Sequence, residues 1–164
     1  MSIILKNKET LQYKNFYFKC SIGRKGLTSN KKEGDQKTPK GEFGIEKLYY
    51  RKDRVRNIDT RIKCIPISKD MGWCDDTKSK KYYNKKIKIP KNIRHERMYR
   101  KDTIYDLLIP IKYNFTKPKI GKGSAIFLHV TKNYRPTKGC IAISKNDFLI
   151  LLRLIDKKTK IKIT

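Results

Sequence analysis

The first half of the chain alternates short apolar runs with charged turns. Ser2 to Leu5, Leu11 to Tyr13 and Phe16 to Ile22 are β-branched or aromatic, and Lys6-Asn-Lys-Glu9 and Lys14-Asn15 separate them, a pattern that predicts a strand meander. Gly23 to Gly41 holds four of the nine glycines and reads as an irregular loop. Strand character resumes over Phe43 to Tyr50 and again over Arg61 to Ile67, where Pro66 weakens it. From Ser68 to Arg100 polar and aromatic residues mix without a clear period, so this segment is expected to be an excursion or lid with little regular structure. Thr103 to Tyr113 and Ala125 to Thr131 read as strands, the second apolar enough to be buried. Ser144-Lys-Asn-Asp147 resembles a capping box, and apolar residues at 148, 151, 152 and 155 place the one helix over roughly 145–157. Thr159 to Thr164 alternates as a closing strand. The fold class is mostly β (α+β).

The 164 residues fit one domain, 1–164, with the excursion around 68–100 as a cap or loop. Apolar residues make up 37% of the chain, but ten Tyr, six Phe and one Trp supply the large side chains that disordered chains lack. No apolar run approaches the roughly 18 residues of a membrane span. Lys and Arg number 42 against 15 Asp and Glu, a formal charge of +27 that favours an anionic partner without naming it. Nucleic acid, an anionic membrane face and the carboxylate-rich cell wall all qualify, and so does a merely lysine-rich composition. Cys20, Cys64, Cys74 and Cys140 form no C-x-x-C pair, and with His95 and His129 as the only histidines no metal or cofactor is expected. The first residues lack the apolar stretch of about 7–15 residues that a secretory signal requires.

The sharpest local feature is Ala125-Ile-Phe-Leu-His-Val-Thr131 followed by Tyr134-Arg-Pro-Thr-Lys-Gly-Cys-Ile-Ala-Ile143. A histidine ends a buried strand, and a cysteine preceded by glycine follows it. A thiol nucleophile needs an imidazole within hydrogen-bond reach, and a glycine lets a substrate carbonyl approach the backbone N–H groups. A packed cysteine near a strand-end histidine would leave the same pattern.

These residues resemble the catalytic motif of the L,D-transpeptidase (YkuD-type) family, a histidine followed by [Ser/Thr]-x-Gly-Cys, matched by His129 and Thr137-Lys-Gly-Cys140. Gly34-Asp-Gln-Lys-Thr-Pro-Lys-Gly-Glu-Phe-Gly-Ile45 is similar to the Thr-Pro-x-Gly-x-Phe segment that members carry upstream. Gly72-Trp-Cys-Asp-Asp76, Tyr83-Asn84, His95-Glu96, Tyr105-Asp106 and Gly123 to His129 resemble a compact proteobacterial branch of the family. The resemblance implies a β-sandwich or barrel-like catalytic domain and an enzyme that crosslinks peptidoglycan stem peptides. Cys140 would form the thioester, His129 would act as base and acid, Gly139 and Cys140 would offer oxyanion N–H groups, and Thr137 would orient the turn. Arg135, Lys138, Trp73, His95 and Tyr113 are the candidates for substrate contact, although Trp73 could equally be an ordinary core residue and His95-Glu96 a solvated turn. Members commonly have His before the Gly-Cys pair and Arg two residues after the cysteine; Lys138 and Ala142 stand there instead, which leaves Arg135 or Lys138 to supply the cation. The donor could be the diaminopimelate or the L-Ala–diaminopimelate bond, and a hydrolase of the same fold remains the alternative. The substrate implies the cell envelope or periplasm, and a monomer is expected. A nucleic-acid-binding module, with Phe16, Tyr17 and Phe18 stacking bases, is the rival from another class. No RNP pattern, zinc-finger spacing or basic heptad supports it, so no nucleic-acid partner is expected.

Overall fold

In the computed structural model, which describes residues 1–89 and 92–164, the opening alternation forms the meander. β1 (Ser2–Asn7), β2 (Thr10–Tyr13) and β3 (Phe16–Ser21) pair antiparallel, with Leu11 opposite Phe18. Alternate side chains turn inward, so Ile3, Leu5, Leu11, Tyr13, Phe18 and Cys20 are buried. The glycine-rich stretch is less irregular than expected, because β4 (Leu27–Thr28) and β5 (Thr38–Pro39) pair in parallel within it. The run from Phe43 to Tyr50 is not one strand: β6 (Gly41–Gly44) and β7 (Leu48–Tyr50) join different parts of the sheet. Of Arg61 to Ile67 only β8 (Cys64–Pro66) is a strand, and it lies at a sheet edge, where a proline without an N–H is tolerated.

The expectation of little regular structure over 68–100 is corrected. β9 (Met71–Cys74), β10 (Lys86–Lys88) and β11 (His95–Arg97) build a three-stranded antiparallel sheet of order β10-β9-β11 around Cys74, Ile87 and Ile89. The strands were hidden because each is three or four residues long and the Lys-Ile-Lys pattern of β10 buries a single side chain. Pro90 and Lys91, inside the expected excursion, lie outside the described residues.

β12 (Leu107–Pro110), β13 (Phe127–Val130) and β14 (Ile141–Ile143) precede the helix α1 (Lys145–Leu154) and the final strand β15 (Lys160–Ile163). Ser144 Oγ accepts the Asp147 N–H and caps α1, whose Phe148, Leu151 and Leu152 are buried at helical spacing. The helix stops three residues short of the expected Lys157. There the Asp156 N–H donates to Thr159 Oγ1 and the Lys158 N–H to Asp156 Oδ1, a side-chain turn that competes with helical bonding.

The large sheet has ten strands in the order β6-β15-β1-β2-β3-β14-β13-β12-β7-β8. Only Ile45, Glu46 and Lys47 separate β6, at one edge, from β7, next to last at the other, so the sheet must curl into a half-barrel. The mostly β architecture expected of a YkuD-type domain is the one observed. Alternation along β13 then divides two cores. Leu128 and Val130 enter the one filled by α1 and the meander, while Phe127 faces the other, with Trp73, Met98, Tyr105 and Leu108. His129 has the same parity as Phe127 and therefore lies on that second face.

Candidate active site

β13 and β14 run parallel with His129 opposite Ala142, so Cys140, two residues before Ala142, lies on the same face as the imidazole. Both line a cleft of about 910 Å³ between the sheet, the 23–41 loop and the three-stranded insert. The Cys140 thiol donates to the Ala125 carbonyl at 3.2 Å and accepts the Phe127 N–H at 3.4 Å. His129 is buried, with Nδ1 2.8 Å from the Val130 carbonyl and its ring edge-on to Tyr105 at a centroid distance of 5.5 Å. Because a carbonyl only accepts, Nδ1 carries the proton and Nε2 keeps its lone pair.

Burial dominates the electrostatics of both groups. It lowers the His129 pKa to about 4, with the Arg100 charge adding to the effect and the Val130 bond opposing it. Burial raises the Cys140 thiol to about 12, and the Phe127 N–H offsets only part of this. At neutral pH the resting pair is therefore a thiol and a neutral imidazole, and proton transfer must accompany attack rather than precede it.

The turn before Cys140 is held from both sides. Thr137 Oγ1 donates to the Cys140 carbonyl at 2.6 Å and accepts the Gly139 N–H at 3.1 Å. Gly139 has φ +140° and packs so closely that a Cβ would lie 2.9 Å from the Lys37 carbonyl oxygen, so no other residue fits without a shift. Since the Gly139 N–H is spent on Thr137, Cys140 keeps the remaining N–H of the expected oxyanion pair. From the 23–41 loop, buried Thr38 donates to the Gly139 carbonyl at 2.8 Å and accepts the Gly23 N–H at 2.9 Å. Thr38→Val leaves both backbone groups unpaired and is expected to cost about 2–4 kcal/mol. Urea unfolding measures this, and a loss under about 1 kcal/mol would mean the turn stands without the clamp.

Arg135 and Lys138 line the cleft and are exposed. Trp73 does not reach it. This side chain is 3% exposed in the second core, edge-on to Phe127 at 5.3 Å, with Nε1 donating to Asn84 Oδ1 at 2.9 Å. His95 is likewise set back on β11, with Nδ1 2.7 Å from the Ile93 carbonyl, while its neighbour Glu96 faces the cleft. Tyr113 donates to the Lys122 carbonyl at 2.6 Å and packs on Phe43, away from Cys140.

Several further contributors were not among the expected site residues. Asn84 Oδ1 accepts the Ala125 N–H as well as Trp73, and Ala125 sits at φ +52°, so the insert ties down the residue whose carbonyl holds the thiol. Tyr105, buried against His129, donates to Glu96 at 3.0 Å, and Glu96 is paired with Arg100. The Tyr83-Asn84, His95-Glu96 and Tyr105-Asp106 pairs are the sequence features that pointed to them.

No cluster of His, Cys, Asp or Glu among the described residues could hold a metal ion. No helix among them is long and apolar enough to cross a membrane.

A family model for the L,D-transpeptidase catalytic domain, YkuD, matches residues 1–163. No curated protein sequence is significantly similar to the chain. Among solved structures, the helical cell shape determining protein Pgp2 from Campylobacter jejuni is similar in fold, with a TM-score of 0.51 at 16% identity. The likeness covers 99% of this chain and 46% of that one, so this chain spans less than half of the Pgp2 structure.

Proposed function

The chain belongs to the L,D-transpeptidase catalytic domain family, YkuD, and we propose from that membership that it forms peptidoglycan crosslinks through a thioester on Cys140. The observation that carries this reading is the placement of Cys140 and His129 on one face of adjacent strands, in one cleft, with Nε2 free to accept a proton.

In the proposed reaction the Cys140 thiol leaves the Ala125 carbonyl and gives its proton to Nε2 as the sulfur attacks the donor stem-peptide carbonyl. The Cys140 N–H faces the developing oxyanion. The imidazolium returns the proton to the departing amine, leaving a thioester. An incoming amine then attacks, His129 takes one of its protons, and that proton passes to the leaving sulfur.

Arg24, Lys132, Arg135 and Lys138 line the cleft and make no ion pair among the described residues, so they are available to stem-peptide carboxylates. They would fill the cationic role that Ala142 cannot. Substrate of this kind places the enzyme in the cell envelope.

The test is mass spectrometry of muropeptides after incubation with purified peptidoglycan fragments. New crosslinked species are expected, and their fragmentation names the donor bond. Shortened stems alone would make the protein a hydrolase acting through the same thioester, and unchanged fragments would overturn the proposal.

A further inference from the structure

Four acidic side chains line the cleft, and three are neutralised within it. Asp75 pairs with Arg94 at 3.1 Å, while Arg100 binds both Glu96 at 3.3 Å and Asp102 at 2.7 Å. Glu33 differs, because among the described residues it makes no ion pair. Its Oε2 accepts from Tyr83 Oη at 2.5 Å and from Ser124 Oγ at 2.7 Å, both uncharged donors, and among the described residues Oε1 has no donor. Arg94 feels the Glu33 charge, but its guanidinium bonds the Asp75 carboxylate and carbonyl.

The carboxylate is built into place. Tyr83 is buried and accepts the Gly123 N–H at 3.1 Å, so the insert, the 23–41 loop and the approach to β13 all converge on Glu33. Burial and then the neighbouring carboxylate push the Tyr83 phenol well above its ordinary pKa, so it remains protonated and keeps donating. Ser124 directly precedes Ala125, the residue whose carbonyl holds the Cys140 thiol. A carboxylate without an ion pair among the described residues thus lines the cleft that holds the nucleophile, in a chain of net charge +27. A half-buried carboxylate ordered by neutral donors lacks only a cation.

We propose that Glu33 receives the ammonium group of the acceptor amine, a reading that rests on transpeptidation at Cys140. The acceptor's –NH3⁺ binds at Oε1 and loses one proton to the carboxylate. The neutral amine attacks the thioester carbonyl, a C–N bond forms and the C–S bond breaks. A second proton passes through His129 to the departing sulfur, and the third stays on the new amide nitrogen. Glu33 then releases its proton to water. Unpaired cations for the donor's carboxylates and one unpaired carboxylate for the acceptor's ammonium give the cleft separate recognition of its two substrates.

The experiment measures how the acyl-enzyme partitions between amine and water. A purified tetrapeptide muropeptide serves as donor and free diaminopimelate as acceptor, and intact-protein mass spectrometry follows acylation of Cys140. Glu33→Gln retains acceptors for Tyr83 and Ser124 but lacks the charge. The fraction captured by diaminopimelate is expected to fall about tenfold or more, as the loss of one charge-assisted hydrogen bond dictates. Glu33→Asp should recover part of it. Hydroxylamine, uncharged at neutral pH, should lose less than about twofold. Unchanged capture of diaminopimelate, or an equal loss with hydroxylamine, would overturn the role of Glu33 while leaving the thioester intact. Absence of any Cys140 adduct in the wild type would instead overturn the transfer reading beneath it.

Discussion

Cys140→Ala is expected to abolish acylation, with a loss on the order of 10⁶-fold, the scale seen when a covalent nucleophile is deleted. No other group can replace it. Cys20 and Cys74 are buried elsewhere, and Cys64 lies on the edge strand β8. The measurement is intact-protein mass after exposure to a stem-peptide donor and to a carbapenem-type β-lactam, an acylating agent suggested by the family resemblance. A wild-type adduct absent from the variant supports the assignment, and an adduct on both would move the nucleophile elsewhere. The fold should survive, because Sγ contributes two weak hydrogen bonds to backbone groups, about 1 kcal/mol each at most. Cys140→Ser separates shape from chemistry, since a hydroxyl can keep both bonds yet attacks poorly.

His129→Ala should slow acylation roughly 10²–10⁴-fold, the span of a general acid–base contribution. The pH dependence is the more searching test. With the imidazole at about 4 and the thiol at about 12, the charged pair lies on the order of 10 kcal/mol above the neutral one, before their mutual attraction is counted. The catalytically useful form is the neutral imidazole, which persists as pH falls until the folded-state value near 4 is crossed. Wild-type acylation should therefore hold level from neutral pH down to about pH 5 and drop through pH 4. An acid limb near the ordinary histidine value of about 6.5 would mean that the cleft is wet around His129. A loss below tenfold in His129→Ala would remove the pairing altogether.

The two groups under test were legible because they are local. His129 and Cys140 are eleven positions apart in one motif, and the parallel register of β13 and β14 puts them on one face. The meander was equally plain, since each of its strands alternates and each turn is charged. What the sequence concealed is assembled across long separations. Glu33 meets Ser124 from 91 residues away, Thr38 meets Gly139 from 101, and Asn84 meets Ala125 from 41; Thr38 and Asn84 sit in segments that resemble the family, but nothing local names the partner of any of the three. Trp73 misled for a related reason. As part of the expected cap it was a candidate for shaping the substrate groove, yet its indole is the wedge that seats the insert on Phe127. The split of Phe43 to Tyr50 was invisible because hydrophobic pattern records which side chains are buried, not which partner strand buries them.

The position of β15 has a consequence for how the protein is made. β15 pairs in parallel with β1 on one side and antiparallel with β6 on the other. As the chain emerges from the ribosome, both of those strands present open ladders of N–H and C=O groups until the residues around Lys160 arrive. Wedging in the sheet's last strand in chain order brings together segments about 160 positions apart, a pairing of high contact order that closes slowly. Until then the nascent protein carries two adhesive edges, and the lysines that alternate through Lys160 and Lys162 belong to the strand that covers them.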